Sequence, residues 1–207
     1  MPESDFKADL VRSYDWDAPA RNQRTLPDER VELRERFVEL LRAENRKGLI
    51  EFGAGAGQDA EKLIDTGFDV VAIDLSPENV TKARERGIDA RVGDFYDLDF
   101  PDAAFTAGWA MSTFLHVPDA DLDTVLSEVS RVLEPGAPLA IGLWGGVNWE
   151  GIMEDDWADP PRFFSMRSDD RLREVLSRHF EVELFGTTMH REEPDEHYQW
   201  CVVRVPD

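Results

Sequence analysis

Three acidic residues stand where short apolar runs end: Glu51 within Leu49-Ile50-Glu51-Phe52-Gly53-Ala54-Gly55-Ala56-Gly57-Gln58, Asp74 after Val70-Val71-Ala72-Ile73, and Asp94 within Gly93-Asp94-Phe95. Glycines at 53, 55 and 57 allow a tight turn with positive φ and let a ligand lie against bare backbone, and a helix starting beyond them offers unpaired N–H groups. Alone, such a run equally describes a flexible loop. It is not the dinucleotide fingerprint, which wants Gly or Ala where Gln58 stands, and it lacks the Gly-Lys-Ser/Thr ending of a phosphate-cradling loop. Asp74 lies 23 residues beyond Glu51, at a strand tip from which a carboxylate accepts both ribose hydroxyl protons. Asp94 can accept the amino group of an adenine whose face Phe95 covers. Taken singly, Asp94 also reads as a turn cap and Phe95 as core. Together the three sites predict an adenosine-containing ligand.

The elements that position these residues follow from apolar spacing. LIEF, DVVAID and ARVG are short strands separated by helical segments over about 57–66 and 77–86, a βαβαβ order. AFTAGWAM is a buried strand, and Leu122, Val125, Leu126, Val129 and Leu133 recur at helical spacing up to Pro135-Gly136. APLAIGLW is another strand, Ser168 caps a helix holding Leu172, Val175 and Leu176, and EVELFG and YQWCVVRV close the chain as two strands. With no helix between them, these last two form a hairpin, which places an antiparallel strand on an otherwise parallel sheet. Asp28 to Ala43 is an amphipathic helix expected to cover a sheet edge. Residues 1–27 are expected to form a polar leader or lid, and 145–167, which fit no period, are expected to cover the substrate. No repeat divides the chain, so 1–207 is expected to be a single domain.

Composition narrows the partners. Asp and Glu number 44 against 23 Lys and Arg, a net charge of −21, which repels phosphate backbones and anionic bilayers. Neither nucleic acid nor membrane is an expected partner. There is one cysteine, Cys201, no apolar stretch of membrane-spanning length and no signal-like start, so a cytoplasmic protein is expected.

In this order, Glu51 to Gly57, Asp74, Gly93-Asp94-Phe95 and the segment from Trp109 to Val117 that ends in Leu-His-Val resemble four motifs of the class I S-adenosylmethionine-dependent methyltransferases. The resemblance runs roughly from Asp28 to the C-terminus. It implies a doubly wound, Rossmann-like α/β fold with a seven-stranded, mostly parallel sheet, an antiparallel C-terminal strand and helices on both faces. It also implies S-adenosyl-L-methionine as cofactor. Glu51 would anchor the methionine amino group, Gly53, Ala54 and Gly55 would approach its backbone, Asp74 and Leu75 would hold the ribose end, and Asp94 and Phe95 the adenine. The backbone at Trp109 and Ala110 would meet the amino group beside the sulfonium. Tyr14 and Arg24 would reach the cofactor from the leader, although Asn22 stands where relatives carry a second aromatic.

The implied enzyme is a methyltransferase acting on a small molecule by in-line displacement, which depends above all on alignment of the reacting atoms. His116 is either the base that takes the acceptor's proton or a structural histidine before Pro118. Trp109, Trp144, Trp149, Phe163 and Phe164 either line a pocket for a planar acceptor or pack loops; Trp144, Trp149 and Phe164 are the substrate contacts expected. The Asp/Asn-Pro-Pro-aromatic run of amino-adenine methylation is missing, with Trp109-Ala110-Met111-Ser112 in its place. His190 to His197 lacks a metal-ligand spacing and reads as a solvated turn. Two other classes stay open: a nicotinamide-dependent oxidoreductase, and an S-adenosylmethionine-binding module without catalysis.

Overall fold

The computed structural model describes residues 3–21, 23–153, 155–188 and 195–207. Its strands are β1 (Gly48–Phe52), β2 (Asp69–Asp74), β3 (Asp89–Val92), β4 (Ala107–Met111), β5 (Pro138–Gly145), β6 (Trp149–Ile152), β7 (Phe163–Met166), β8 (Glu181–Thr188) and β9 (His197–Arg204). Seven of them form one sheet in the order β3-β2-β1-β4-β5-β9-β8, and β6 and β7 pair as a separate antiparallel ribbon. Only β9 runs against its neighbours in the main sheet, as the terminal hairpin requires.

From β1 the chain winds outward through β2 to β3, then returns to β4 on the other side of β1. The crevice at the carboxyl ends of β1 and β4 is therefore the switch point where open α/β sheets take ligands. Alternation along β1 sends Ile50 and Phe52 to one face and Leu49 to the other. Glu51 stands in register with Ala72 of β2 and Trp109 of β4.

The helices are α1 (Glu3–Arg21), α2 (Asp28–Ala43), α3 (Gln58–Asp65), α4 (Pro77–Glu85), α5 (Leu122–Val132) and α6 (Asp169–Leu176). α5 and α6 pack their apolar stripes on one face of the sheet, and α2, α3 and α4 cover the other. Ser76 caps α4 through the Asn79 N–H, with Pro77 opening the helix, and Ser168 caps α6 through the Arg171 N–H.

One expectation needs correction, and two segments to which the sequence assigns no element acquire one. Within the leader, residues 3–21 are helical, with Phe6, Leu10 and Tyr14 spaced by four on one side. α2 lies over a face rather than an edge, with the Phe37 ring 5.5 Å from that of Trp109 in central β4. The aperiodic 145–167 segment contains the β6–β7 ribbon, whose four-residue strands are too short to show a period.

Candidate active site

At the end of β1 the chain turns sharply at Gly53, where φ is +65°. A Cβ there would lie 1.9 Å from Thr113 Oγ1, so the turn and the segment after β4 meet only because this residue has no side chain. Gly57 does the same for the start of α3, since a Cβ would meet Ile88 Cδ1 at 2.4 Å. The Ala54 N–H donates to the Ile73 carbonyl (3.0 Å), and the Gly55 N–H to Asp74 Oδ2 (2.7 Å). Asp74 Oδ1 accepts from the Ser76 N–H (2.9 Å) and from Asn79 Nδ2 (3.3 Å). One carboxylate thus ties the glycine turn to the next loop and helix. Gly53→Ala is expected to lower stability by about 1–3 kcal/mol, because overlap and a left-handed backbone act together. Urea unfolding measures this, and an unchanged midpoint would contradict the contact with Thr113.

The turn forms one side of a cavity of about 360 Å³ at the switch point. Gly53, Ala54, Gly55, Asp74, Leu75, Asp94, Phe95, Tyr14, Arg24 and His116 all border it, so the structure brings together most of the residues singled out from sequence. Asp94 Oδ1 accepts from the Tyr96 N–H, and its Oδ2 is paired with Lys7 Nζ of α1 (2.9 Å), which also sits over the Tyr96 ring. Phe95 has two surroundings. It borders the cavity, while its ring packs edge-on against Phe52 and Phe114. Arg24 is paired with buried Asp17 (2.8 Å) and lies over the Trp157 ring.

Beneath the turn lies a charge cluster that sequence reasoning missed. Asp59, in the first turn of α3, accepts from Arg30 Nε (2.7 Å), Arg34 Nη1 (2.5 Å) and Trp109 Nε1 (3.0 Å). Burial opposes its charge, but Arg30, Arg34 and the indole outweigh that and hold the carboxyl below the usual range. Glu51, also buried, is in the opposite condition. Burial first and the Asp59 charge second push its carboxyl well above the usual range, against the pull of Arg30. Its Oε2 has no hydrogen-bond partner among the described residues. A buried acceptor left in this state is a ready counterpart for a cationic ligand group. The spacing of Arg30 and Arg34 by four on one helix face was the available signal; their target 25–29 residues away was not.

Glu51, Trp109 and Ala110 do not themselves border the cavity, contrary to expectation. β4 is buried throughout, the Trp109 indole is spent on Asp59 and Phe37, and the chain reaches the cavity only at Met111, Ser112 and Thr113. Trp144 and Trp149 are not brought there either: Trp144 packs edge-on against its register partner Tyr198, and Trp149 is 39% exposed on the ribbon. Phe164 stands behind His116, ring centroids 4.9 Å apart, and Phe163 packs on Phe6.

His116 ends a short 3-10 turn (Phe114–His116). Its Nδ1 is 2.8 Å from the Phe163 carbonyl oxygen, and its Nε2 is 2.5 Å from the Tyr14 hydroxyl. Arg162 Nη1 lies 3.3 Å from the same hydroxyl, and the Arg162 guanidinium is paired with Asp156 (2.7 Å). The histidine is thus tied into the wall at Nδ1, while Nε2 is engaged with a residue that borders the cavity.

Asn22 and residues 190–194 of the His190–His197 run lie outside the described residues. His197 pairs with Asp169, and among the described residues no cluster suited to a metal occurs. Burial pushes the Cys201 thiol up to about 12, which keeps it inert. No described helix is long and apolar enough to cross a membrane.

A family model described as a methyltransferase domain matches residues 50–141. The chain is 32% identical over 128 residues to the 27-O-demethylrifamycin SV methyltransferase of Amycolatopsis mediterranei, an alignment spanning 57% of this chain and 46% of that protein. It is 30% identical over 118 residues to the 2-methyl-6-phytyl-1,4-hydroquinone methyltransferase of Synechocystis, spanning 54% and 36% respectively. The chain thus spans less than half the length of these curated relatives. Among solved structures, the 1,6-didemethyltoxoflavin-N1-methyltransferase of Burkholderia thailandensis, with bound 1,6-didemethyltoxoflavin and S-adenosylhomocysteine, superposes with a TM-score of 0.71 at 21% identity. That superposition covers 97% of this chain and 87% of the other, and shows a shared fold.

Proposed function

We propose that the chain is a class I S-adenosylmethionine-dependent methyltransferase that moves the cofactor's methyl group to a small-molecule acceptor in the cavity at the β1–β4 switch point, a reading supported by the methyltransferase-domain match over residues 50–141. The observation that carries this reading is one cavity bordered by the glycine turn, Asp74 and Asp94, with the unpartnered Glu51 Oε2 buried at the end of β1 beneath that turn. That set fits S-adenosylmethionine from end to end. A buried carboxylate suits its ammonium, bare backbone its chain, Asp74 its ribose, and Asp94 with Phe95 its adenine. When bound, the cofactor supplies a methyl group on a positively charged sulfur, a good leaving group.

The protein's own part is to hold, orient and accept a proton. Trp109 and Ala110 take no part in binding on this reading; the backbone at Met111 and Ser112 takes over their role. His116 is the group on which the proton lost by the acceptor comes to rest, and the Phe164 ring packs against its imidazole. The curated relatives methylate, by their names, a rifamycin and a hydroquinone, which agrees with a small organic acceptor here.

Calorimetric titration tests the reading. S-adenosylmethionine and S-adenosylhomocysteine are expected to bind with stoichiometry near one, and NAD to give no heat. Binding of NAD alone would return the protein to the oxidoreductases. Binding of S-adenosylmethionine with no acceptor turned over in a broad panel would favour the non-catalytic module.

A further inference from the structure

We propose that Tyr14 is a catalytic residue, the atom that receives the acceptor's proton being its phenolic oxygen and not His116 itself, and that the acceptor is a neutral, largely apolar molecule methylated on a hydroxyl. This rests on the methyltransferase reading and deepens it.

The argument begins with the direction of the hydrogen bonds. The Phe163 carbonyl can only accept, so the hydrogen at the 2.8 Å contact belongs to His116 Nδ1. In the neutral imidazole the other nitrogen then carries a lone pair, and the Tyr14 hydroxyl, 2.5 Å away, donates into it. Tyr14 therefore already points its proton at a base. Its oxygen has Arg162 Nη1 at 3.3 Å, a cation positioned to stabilise negative charge on the phenol. The Asp156 carboxylate fixes that guanidinium with two bonds, at 2.7 Å each from Nε and Nη2, so its position does not depend on the ligand. Tyr14 and His116 both border the cavity, whereas Arg162 is buried behind them.

The step balances on these atoms. The acceptor hydroxyl gives its proton to Tyr14 Oη as Tyr14's own proton passes to His116 Nε2, leaving an imidazolium still bonded to the Phe163 carbonyl. The acceptor oxygen's electron pair forms the new O–CH3 bond, and the pair of the S–CH3 bond stays on sulfur. His116 later returns the proton to solvent. Charge selects the acceptor. A cationic amine at Tyr14 would sit beside the Arg162 guanidinium and be repelled, while a hydroxyl meets only the phenol. Phe6, Leu10, Met111 and Val117 give the neighbouring walls an apolar character.

The test has two arms. In the resting protein, 15N NMR is expected to show His116 protonated on Nδ1 when neutral, with the Nε2 resonance moving in Tyr14→Phe toward that of an unbonded lone pair. A proton on Nε2, or no movement, overturns the proposal whatever the activity. In the second arm, S-adenosylhomocysteine release is followed with panels of phenols, alcohols and amines. Turnover is expected with hydroxyl compounds; Tyr14→Phe and His116→Gln should each lower kcat about 100-fold. The double variant should be no slower than the worse single, since both act on one proton path. S-adenosylhomocysteine affinity should stay within about threefold in Tyr14→Phe, an allowance well under the tenfold that corresponds to 1.4 kcal/mol. Turnover of amines alone, of nothing in the hydroxyl panel, or fully multiplicative losses would each reject the relay. A wild-type protein that binds no S-adenosylhomocysteine would instead reject the methyltransferase reading beneath it.

Discussion

Replacing Glu51 with Gln is expected to weaken S-adenosylmethionine binding by about 100-fold while making the cofactor-free protein more stable. The loss follows from removing the charged partner of a buried ammonium, a change that costs about 2–5 kcal/mol when the other ion has no alternative. The gain follows from the carboxyl's condition without ligand: it is buried, pushed above the usual range by burial and by Asp59, and has an oxygen with no partner among the described residues. A carboxyl whose folded pKa lies above its unfolded one stabilises the fold in acid and loses that contribution as pH rises from the unfolded value through the folded one. The stability advantage of the Gln variant, about 1 kcal/mol or more by the cost of an unsatisfied buried polar group, should therefore be present at pH 8 and vanish at pH 4. Binding runs the other way. An ammonium favours the ionised carboxylate, so wild-type affinity should fall as pH drops below the raised pKa, and the variant should lose that slope. Calorimetry and thermal melting across pH check both. Equal affinity in the two proteins would remove Glu51 from the site.

Asp59→Ala is expected to cost about 3–5 kcal/mol, the penalty for leaving buried charges without their counterion. Arg30, Arg34 and the Trp109 indole all converge on this one carboxylate, and Arg30 and Arg34 are themselves largely covered. Substituting the whole cluster by apolar residues of similar volume, Arg30→Met, Arg34→Met and Asp59→Leu together, should be far less damaging, because no charge is then stranded. Urea unfolding separates the two outcomes. Since the Asp59 carboxyl is held below its usual range, its contribution is present above the unfolded pKa and is lost as pH falls through the folded one. A single variant as stable as wild type would mean the cluster adds no net stability.

Both residues show where a sequence is informative and where it is silent. The strands from LIEF to APLAIGLW were legible because buried parallel strands leave short apolar runs between helices of clear period. The terminal hairpin was legible from connectivity alone. Asp74 and Asp94 were legible because a strand tip fixes where a carboxylate points. Trp109 failed for the complementary reason. It shares a sheet face with Met111, which borders the cavity, but lies two residues deeper in β4, where its ring meets Phe37 and its indole Asp59. Trp144 and Trp149 failed because aromatic type reports area and not direction. α1 was hidden because the side it buries includes Ser13 and Asp17, polar residues that dilute the apolar signal. The Asp59 cluster depends on α2 and α3 meeting across the sheet face, which no local pattern encodes.

The N-terminal helix carries one more implication. Of its described residues only Leu10 and Ala18 are buried apolar ones, and Phe6, Lys7, Leu10 and Tyr14 face a cavity in place of a core. Most of what α1 can gain by docking is therefore supplied by whatever fills that space. Helix docking and ligand occupancy are then two sides of one linked equilibrium. Thermodynamic reciprocity requires that each strengthen the other by the same factor. The contacts that hold α1 from outside, Asp15 on Ser76 and Glu78, Ser13 on the Pro160 carbonyl, and Trp16 on Trp157, lie far from any reacting atom. Through that linkage they nevertheless set part of the affinity.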